Sequence, residues 1–487
     1  MQEAQAFPRL VDGEWRAASS DAATIAVHDP AEVATIVGTV PSMTAAEVSE
    51  LYAAAEAGAR RWRATSLLTR GEIMATAADN LRADASRIAA DLVAENGKTA
   101  AEAAGEVGKA ADFLDYYAGM ARLPYGTLLA DARPKTTVEA RREPLGVVCL
   151  VTPWNDPLLT PARKLAPALL AGNAIILKPA SETPIVSVHL ARALDDAGLP
   201  AGVLGLAIGR IGEIEEALFD DERLAAVSFT GSTAVGRTLQ RRLAGRNVRV
   251  QTEMGGKNAS VVLADADLDL AAATIAAASF AQAGQRCTAT SRVVAEAPIA
   301  EELTAKLVAA AKAARLGPGA DPATTMGPLV SRRHQSEVLG HVGRAREQGA
   351  TIAAGGDAPD GPLAGGCFVA PTVVTEITTE MDIWREEVFG PVVAITVVDD
   401  FEEAVAAAND SAYGLSAAVF TSSLESAHAF ADRAEAGQVS VNLPTSGWDV
   451  HHPFGGFGDS GSPFKEQGTE ALNFYTRVKT VAIRTGA

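Results

Sequence analysis

Cysteine, a basic leader, long apolar runs and a surplus of positive charge are all missing from this chain, and each absence removes a class of protein. Three cysteines stand far apart in 487 residues. So sparse and odd a set fits a reducing compartment, the cytoplasm, and excludes a disulfide framework. The opening residues, Met1-Gln-Glu-Ala-Gln-Ala-Phe-Pro-Arg9, hold no apolar core behind a basic lead, so no secretory signal is read there. The longest apolar stretches, such as Ala271 to Ala283, are alanine-rich and too short or too polar to span a bilayer. Lys and Arg number 42 against 60 Asp and Glu, a net charge of −18. That balance argues against nucleic acid or an anionic membrane as partner. Metal ligands are also poorly placed. His451 and His452 are adjacent, and no third residue is spaced to complete a zinc site.

What is present is globular. Hydrophobic residues make up 48% and charged residues 21%, so the chain is expected to fold throughout, and its length calls for two or three domains. Leu10 to Trp15 reads as a strand and turn. From Thr44 to Tyr117 the apolar spacing is helical, opened by a capping box of Thr44 and Glu47. The stretch Leu123 to Arg142 alternates β-formers. Leu145 to Thr152, Asn173 to Lys178, Gly202 to Ile208 and Ala225 to Phe229 read as buried strands with helices between them. A second series of strands follows from Glu253: Ala259 to Leu263, Arg292 to Ala295, Phe368 to Val374, Val392 to Val397 and Ala417 to Phe420. Apolar strands alternating with helices mean α/β architecture, a parallel sheet covered on both faces. The tail Thr480 to Arg484 is a strand without a local partner, free to pair with Leu123 to Arg142 or with another subunit.

The cysteines differ in surroundings. Cys149 sits inside an apolar strand and reads as a small buried hydrophobe. Cys367, in a glycine-rich loop, has no chemical neighbours. Cys287 lies in a polar break, Gly284-Gln-Arg-Cys-Thr-Ala289, with Arg286 beside it to favour the thiolate. Alone it reads equally well as nucleophile or as structural residue. Gly231-Ser-Thr-Ala-Val-Gly236 follows a strand and opens a helix, the context for a pyrophosphate at a helix N-terminus. It lacks the full G-x-G-x-x-G fingerprint.

Six segments occur in one order: Thr152-Pro-Trp-Asn155, Phe229-Thr-Gly-Ser232, Glu253-Met-Gly-Gly-Lys-Asn258, Gly284-Gln-Arg-Cys287, Glu387-Val-Phe-Gly-Pro391 and Pro453-Phe-Gly-Gly456. Together they resemble the aldehyde dehydrogenase superfamily over nearly the whole chain. The resemblance implies a Rossmann-type cofactor domain (1–122 and 143–253), an α/β catalytic domain (254–440) and a small β oligomerisation arm and tail (123–142 and 470–487). It implies NAD(P)-dependent oxidation of an aldehyde to an acid through a cysteine thiohemiacetal and thioester, in a homodimer or homotetramer. Cys287 would be the nucleophile, Glu253 the base that activates water, and Asn155 the oxyanion donor alongside the Cys287 N–H. Without the resemblance, Glu253 reads as a solvated strand end and Asn155 as a helix N-cap.

By the same resemblance Trp154, Lys178, Ser181, Phe229, Gly231, Ser232, Glu387 and Phe389 line the cofactor site. Many NAD-preferring members carry glutamate where this chain has Ser181, so NADP is expected to be accepted alongside NAD. Arg163 matches the arginine by which semialdehyde-oxidising members hold a distal carboxylate; the alternative is an ion pair with Asp156. Asp156 itself departs from the family's usual aromatic, and suggests recognition of a hydroxyl or amine. The loop Asn442 to Pro453 is similar to that of α-ketoglutarate semialdehyde dehydrogenases. Oxidation of aromatic or aliphatic aldehydes is the alternative. A CoA-acylating enzyme is disfavoured by Glu253, and an inactive structural homologue by the intact Cys287.

Overall fold

The computed structural model describes residues 5–18, 23–123 and 125–486. The first four residues, part of the opening read above for a leader, lie outside that description. So do Pro124 of the predicted arm and Ala487 of the predicted tail.

Two parallel sheets dominate. The first has five strands in the spatial order Leu204–Leu206, Ala174–Lys178, Val147–Val151, Leu224–Thr230 and Arg249–Glu253, all parallel. Its central strands are apolar on both faces because helices cover both. The second has seven strands, with Asn258–Val262 and Thr290–Glu296 side by side near its middle and only the edge strand Thr351–Ala354 antiparallel. The strand expected from Phe368 is shorter, Thr372–Thr375, and begins after Pro371.

The helical region before the first sheet folds as four helices: Ala45–Ala64, Leu67–Ala83, Ala85–Asn96 and Ala100–Met120. The Thr44–Glu47 capping box forms as expected. These helices also cap others. The helices Leu159–Ala171 and Ile185–Asp196 begin at Leu158 and Pro184, which offer no capping side chain. Buried Glu106 instead accepts from Leu158 N (2.8 Å) and Leu159 N (3.0 Å), and buried Glu95 accepts from Ile185 N (2.8 Å) and Val186 N (2.9 Å). Two carboxylates from one layer thus satisfy the orphan donors of the next.

The tail strand, Thr476–Arg484, finds its partner within the chain. It pairs antiparallel with Thr136–Pro144, which pairs in turn with Gly126–Leu129. This three-stranded arm exposes Leu128, Leu129, Val478 and Ile483. A hairpin of Thr24–Asp29 and Glu32–Pro41 has no counterpart among the sequence expectations. Among the described residues no helix is long and apolar enough to cross a membrane.

Candidate active site

A cleft of about 890 Å³ runs between the two sheets. It is lined by residues following the C-terminal ends of strands of the first sheet, where open α/β sheets leave their ligand crevice. Twelve of the sequence-predicted residues reach it: Asn155, Asp156, Arg163 and Cys287, with Trp154, Lys178, Ser181, Phe229, Gly231, Ser232, Glu387 and Phe389. Glu253 does not. Its neighbours Thr230, Met254 and Gly255 line the cleft, while its own carboxyl is buried at 1% exposure.

At one end of the cleft the chain comes close to itself. A Cβ on Gly231 would lie 2.7 Å from the Phe229 ring, and one on Gly255 would lie 2.0 Å from Glu387 Oε2, so a side chain at either would displace a residue of the site. Ser232 starts the helix Thr233–Leu243 without capping it through its hydroxyl, which leaves the first amides unclaimed by a side chain. Glu387 accepts from Gly256 N at 2.9 Å, and burial pushes its carboxyl up to about 7. Lys178, nearly buried, donates to Pro179 O at 2.7 Å, and burial brings it down to about 8. Trp154 packs edge-on to Phe389 with ring centres 5.3 Å apart. Phe389 holds a left-handed backbone (φ 54°), with its carbonyl accepting from His334 Nε2 at 2.8 Å. Ser181 donates to Gly209 O at 3.3 Å, and its neighbour Glu182 faces Arg333 at 3.6 Å. Arg210 is exposed and outside the cleft.

Beside this crevice stands Cys287, half-buried, near enough for the Glu387 charge to bear on its thiol. Asn258 Nδ2 fixes its backbone by donating to Cys287 O and Ala289 O, both at 2.8 Å. Burial, then the charge of Glu253, push the thiol well up, and Arg163 opposes them. The sequence reading gave that cationic role to Arg286. Here Arg286 is engaged by Gln282 Oε1, and the opposing cation comes from another helix. Cys149 and Cys367 are buried, with thiols pushed up to about 12 and about 11 by burial, as suits structural residues.

Asn155 is not an N-cap. Its Nδ2 donates to Gln285 O at 3.0 Å, beside Cys287, and Lys98 Nζ donates to its backbone carbonyl at 2.9 Å. Asn96 holds the preceding carbonyl, Trp154 O, at 2.8 Å. Nor is Glu253 a solvated strand end. Burial first and nearby Glu466 second raise its proton affinity well above the usual carboxyl range, against Arg163, Lys164 and Lys465. Among the described residues its Oε1 has no hydrogen-bond partner.

The Arg163–Asp156 pair does not form. Arg163 Nε faces Glu466 at 3.0 Å, and its guanidinium lies 4.7 Å from the Phe454 ring centre. Glu466 also binds buried Lys164 and accepts from Thr230 Oγ1 at 3.2 Å. Burial would raise Glu466, but Lys164 and Arg163 outweigh it and hold it ionised. Asp156 is taken by Lys98 Nζ (3.4 Å) and Gln282 Nε2 (2.8 Å). Glu466, Lys98, Gln282, Asn258, His334 and Arg333 are the contributors that sequence reasoning missed. Each acts on a segment far away in the chain, so no local spacing marks it. His451 and His452 meet edge-to-face with ring centres 4.2 Å apart in an exposed loop, and among the described residues no group of side chains could hold a metal ion.

A family model described as the aldehyde dehydrogenase family matches residues 15–481. An α-ketoglutarate semialdehyde dehydrogenase of Haloferax volcanii is 42% identical over 473 residues, covering 97% of this chain and 98% of its own. An α-ketoglutaric semialdehyde dehydrogenase of Bacillus subtilis is 36% identical, covering 99% of each. Among solved structures, betaine aldehyde dehydrogenase of Staphylococcus aureus in complex with NAD+ superposes with a TM-score of 0.95 at 31% identity, over 99% of this chain and 95% of that one.

Proposed function

The chain belongs to the aldehyde dehydrogenase family, and from that premise we propose that it oxidises a carboxylate-bearing semialdehyde to the corresponding acid, with NAD or NADP as acceptor. The observation that carries the substrate class is Arg163. Glu466 faces its Nε and Phe454 its plane, yet among the described residues neither Nη group has a protein acceptor, in a cleft shared with Cys287. Two cations, Arg163 and Lys164, share one ionised carboxylate, while Glu253 is raised toward neutrality. The surplus positive charge favours an anionic substrate, and a guanidinium suits a carboxylate. The names of the two semialdehyde-oxidising relatives support the same class.

The crevice around Gly231 fits a dinucleotide. Free helix amides and the Ser232 hydroxyl would take the pyrophosphate, and Glu387 and Lys178 would hold ribose hydroxyls, with Trp154, Phe229 and Phe389 as apolar walls. Serine at 181, with Glu182 balanced by Arg333, supports use of either NADP or NAD. Bound there, the cofactor supplies the acceptor for the hydride that leaves as a thiohemiacetal becomes a thioester.

The chain's own residues account for the rest. Burial keeps the Cys287 proton on sulfur at rest, so a base must remove it; the ionised form of Glu253, high in proton affinity and close enough for its charge to bear on the thiol, takes it. The thiolate then bonds the carbonyl carbon. Asn155 Nδ2, now on Gln285 O, and the Cys287 N–H receive the oxyanion. Glu253 gives the sulfur's proton up to solvent, then takes one from the water whose oxygen attacks the thioester carbon, releasing the acid and the thiolate. From its buried position the Glu253 side chain must rotate to reach that carbon. Gly455 leaves room for this, since even a Cβ there would come within 3.3 Å of Glu253 Oε2.

Arg163→Ala tests the substrate class. It should raise KM for succinate semialdehyde about 10- to 100-fold, the worth of a charge-assisted hydrogen bond, and leave butanal nearly unchanged. Equal losses on both would refute the anchor. The apolar positions on the arm, Leu128, Leu129, Val478 and Ile483, support a homodimer or homotetramer joined there. Sedimentation of a Val478→Glu, Leu128→Glu variant should give monomers; an unchanged oligomer would place the interface elsewhere. Scarce, unpaired cysteines support a cytoplasmic setting, and the division into domains 1–122 with 143–253, 254–440, and 123–142 with 470–487 belongs to the same proposal.

A further inference from the structure

We infer that Asp156, Gln282 and Arg286 form a second polar subsite in the cleft, which takes a hydroxyl carried on the substrate's chain. The inference rests on the cleft being the aldehyde site.

The three side chains are joined in series. Lys98 Nζ and Gln282 Nε2 both approach Asp156 Oδ1, at 3.4 and 2.8 Å, and Gln282 Oε1 accepts from Arg286 Nε. These contacts use one oxygen of the aspartate and one nitrogen of the arginine. Among the described residues Asp156 Oδ2 and both Nη groups of Arg286 have no protein partner, and both residues line the cleft. An unclaimed acceptor and an unclaimed donor therefore flank the same glutamine.

The arrangement is rigid. Gln282 and Ala283 are both left-handed (φ 50° and 53°), followed by Gly284 at 68°. Consecutive non-glycine residues in that region are strained, and persist only where surrounding bonds fix them. Glu102 Oε1 accepts from Gln282 N at 2.7 Å, and Gln285 Nε2 donates to Gln282 O at 3.0 Å. Lys98, which bears on Asp156, is itself buried and paired with Glu106.

Hydroxyl is the group that satisfies both free ends, since it donates to the carboxylate and accepts from the guanidinium. An oxo group or second carboxylate would meet Asp156 with lone pairs. An ammonium would meet Lys98 and Arg286 with like charge. A methylene would desolvate the charges and return nothing. Asp156 is ionised: burial would raise it, but Lys98, Arg286 and the bond from Gln282 together hold it below its ordinary value. That charge also pushes up the Cys287 thiol, so it works against the nucleophile.

Two pairs of aldehydes separate this from the carboxylate anchor: butanal against its β-hydroxy derivative, and succinate semialdehyde against its hydroxylated derivative. The wild-type enzyme should favour the hydroxylated member of each pair by about tenfold or more in kcat/KM. Asp156→Asn should shrink that preference to about twofold in both pairs, while Arg163→Ala leaves it intact in the uncharged pair. Arg286→Met, which keeps Asp156 and Lys98 in place, should show the same loss and serves if the first variant folds poorly. A uniform fall across all four aldehydes in Asp156→Asn overturns the subsite, because a structural role would act so. A wild-type enzyme that favours carboxylates but ignores hydroxyls overturns the subsite alone. Indifference to both overturns the reading of the cleft with it.

Discussion

Gly231 and Arg163 face the same cleft, but the two ends they represent are made differently. Around Gly231 the site consists of main chain, with amides at a helix start, glycines held without a Cβ by Phe229 and Glu387, and aromatic walls. Around Arg163 it consists of buried charge, with Arg163 and Lys164 facing Glu466, Lys98 paired with Glu106 and Asp156, and Glu253 buried beside them. Main chain can bind a constant ligand such as a dinucleotide cheaply in sequence terms, since few side chains are spent. Buried charge is costly unless paired, and a missing partner leaves an ion stranded. The aldehyde end is therefore the one where a single substitution changes chemistry most.

The largest effects should divide the two ends cleanly. Cys287→Ala removes the only half-buried thiol and should abolish turnover while dinucleotide affinity stays within about twofold, read by fluorescence titration. Turnover that survives would end the mechanism outright. Glu253→Gln should slow hydrolysis by about 10²- to 10⁴-fold, the usual worth of a general base. If another base can still remove the Cys287 proton, a burst of reduced cofactor precedes the slow steady state. Loss of the burst as well would assign both proton transfers to Glu253. Weakened cofactor binding in either variant would break the comparison, since the ends would then not be separable.

The same contrast explains what could be read from sequence. The dinucleotide end is written in contiguous stretches: strand, then Phe229-Thr-Gly-Ser232, then helix, and Glu253 through Asn258 after its own strand. The elements of both sheets were legible for the same reason, because apolar strands and capped helices are local patterns. The charged end is written in pairs far apart. Arg163 and Asp156 stand at a spacing that suggests a helix-face ion pair. The chain instead leads Arg163 to Glu466 and Asp156 to Lys98, partners supplied by the C-terminal segment and by the N-terminal helices. Glu106 and Glu95 look like helix-surface carboxylates, yet they are buried caps on other helices. Gln282 carries no motif at all, and its left-handed backbone is invisible without coordinates. Asp156 stood out in the sequence as a departure, but its meaning depends on which of its oxygens the fold leaves free.

A smaller effect sharpens the comparison from the dinucleotide side. Glu387 is the carboxyl at that end, beside the glycine turn, with Lys178 as the cation, and burial has moved the carboxyl up to about 7. The sign follows from that direction. Its contribution to stability is fully present below the ordinary carboxyl range and is lost as pH rises through about 7, where burying the charged form costs free energy. Ribose hydroxyls are donors, and the ionised carboxylate is acceptor-only, so dinucleotide binding prefers the deprotonated form and recovers part of that cost. If only that form binds, affinity should rise about tenfold between about pH 6 and about pH 8 and then level. Dissociation constants for NAD and NADP measured across that range should rise and fall together, because Glu387 bonds Gly256 while Ser181 bonds Gly209, with no partner in common. Glu387→Gln should flatten both curves near the low-pH value. A wild-type profile that is already flat would mean that the carboxyl is ionised throughout, and that the dinucleotide end, like the main chain it is built from, has no proton of its own to give up.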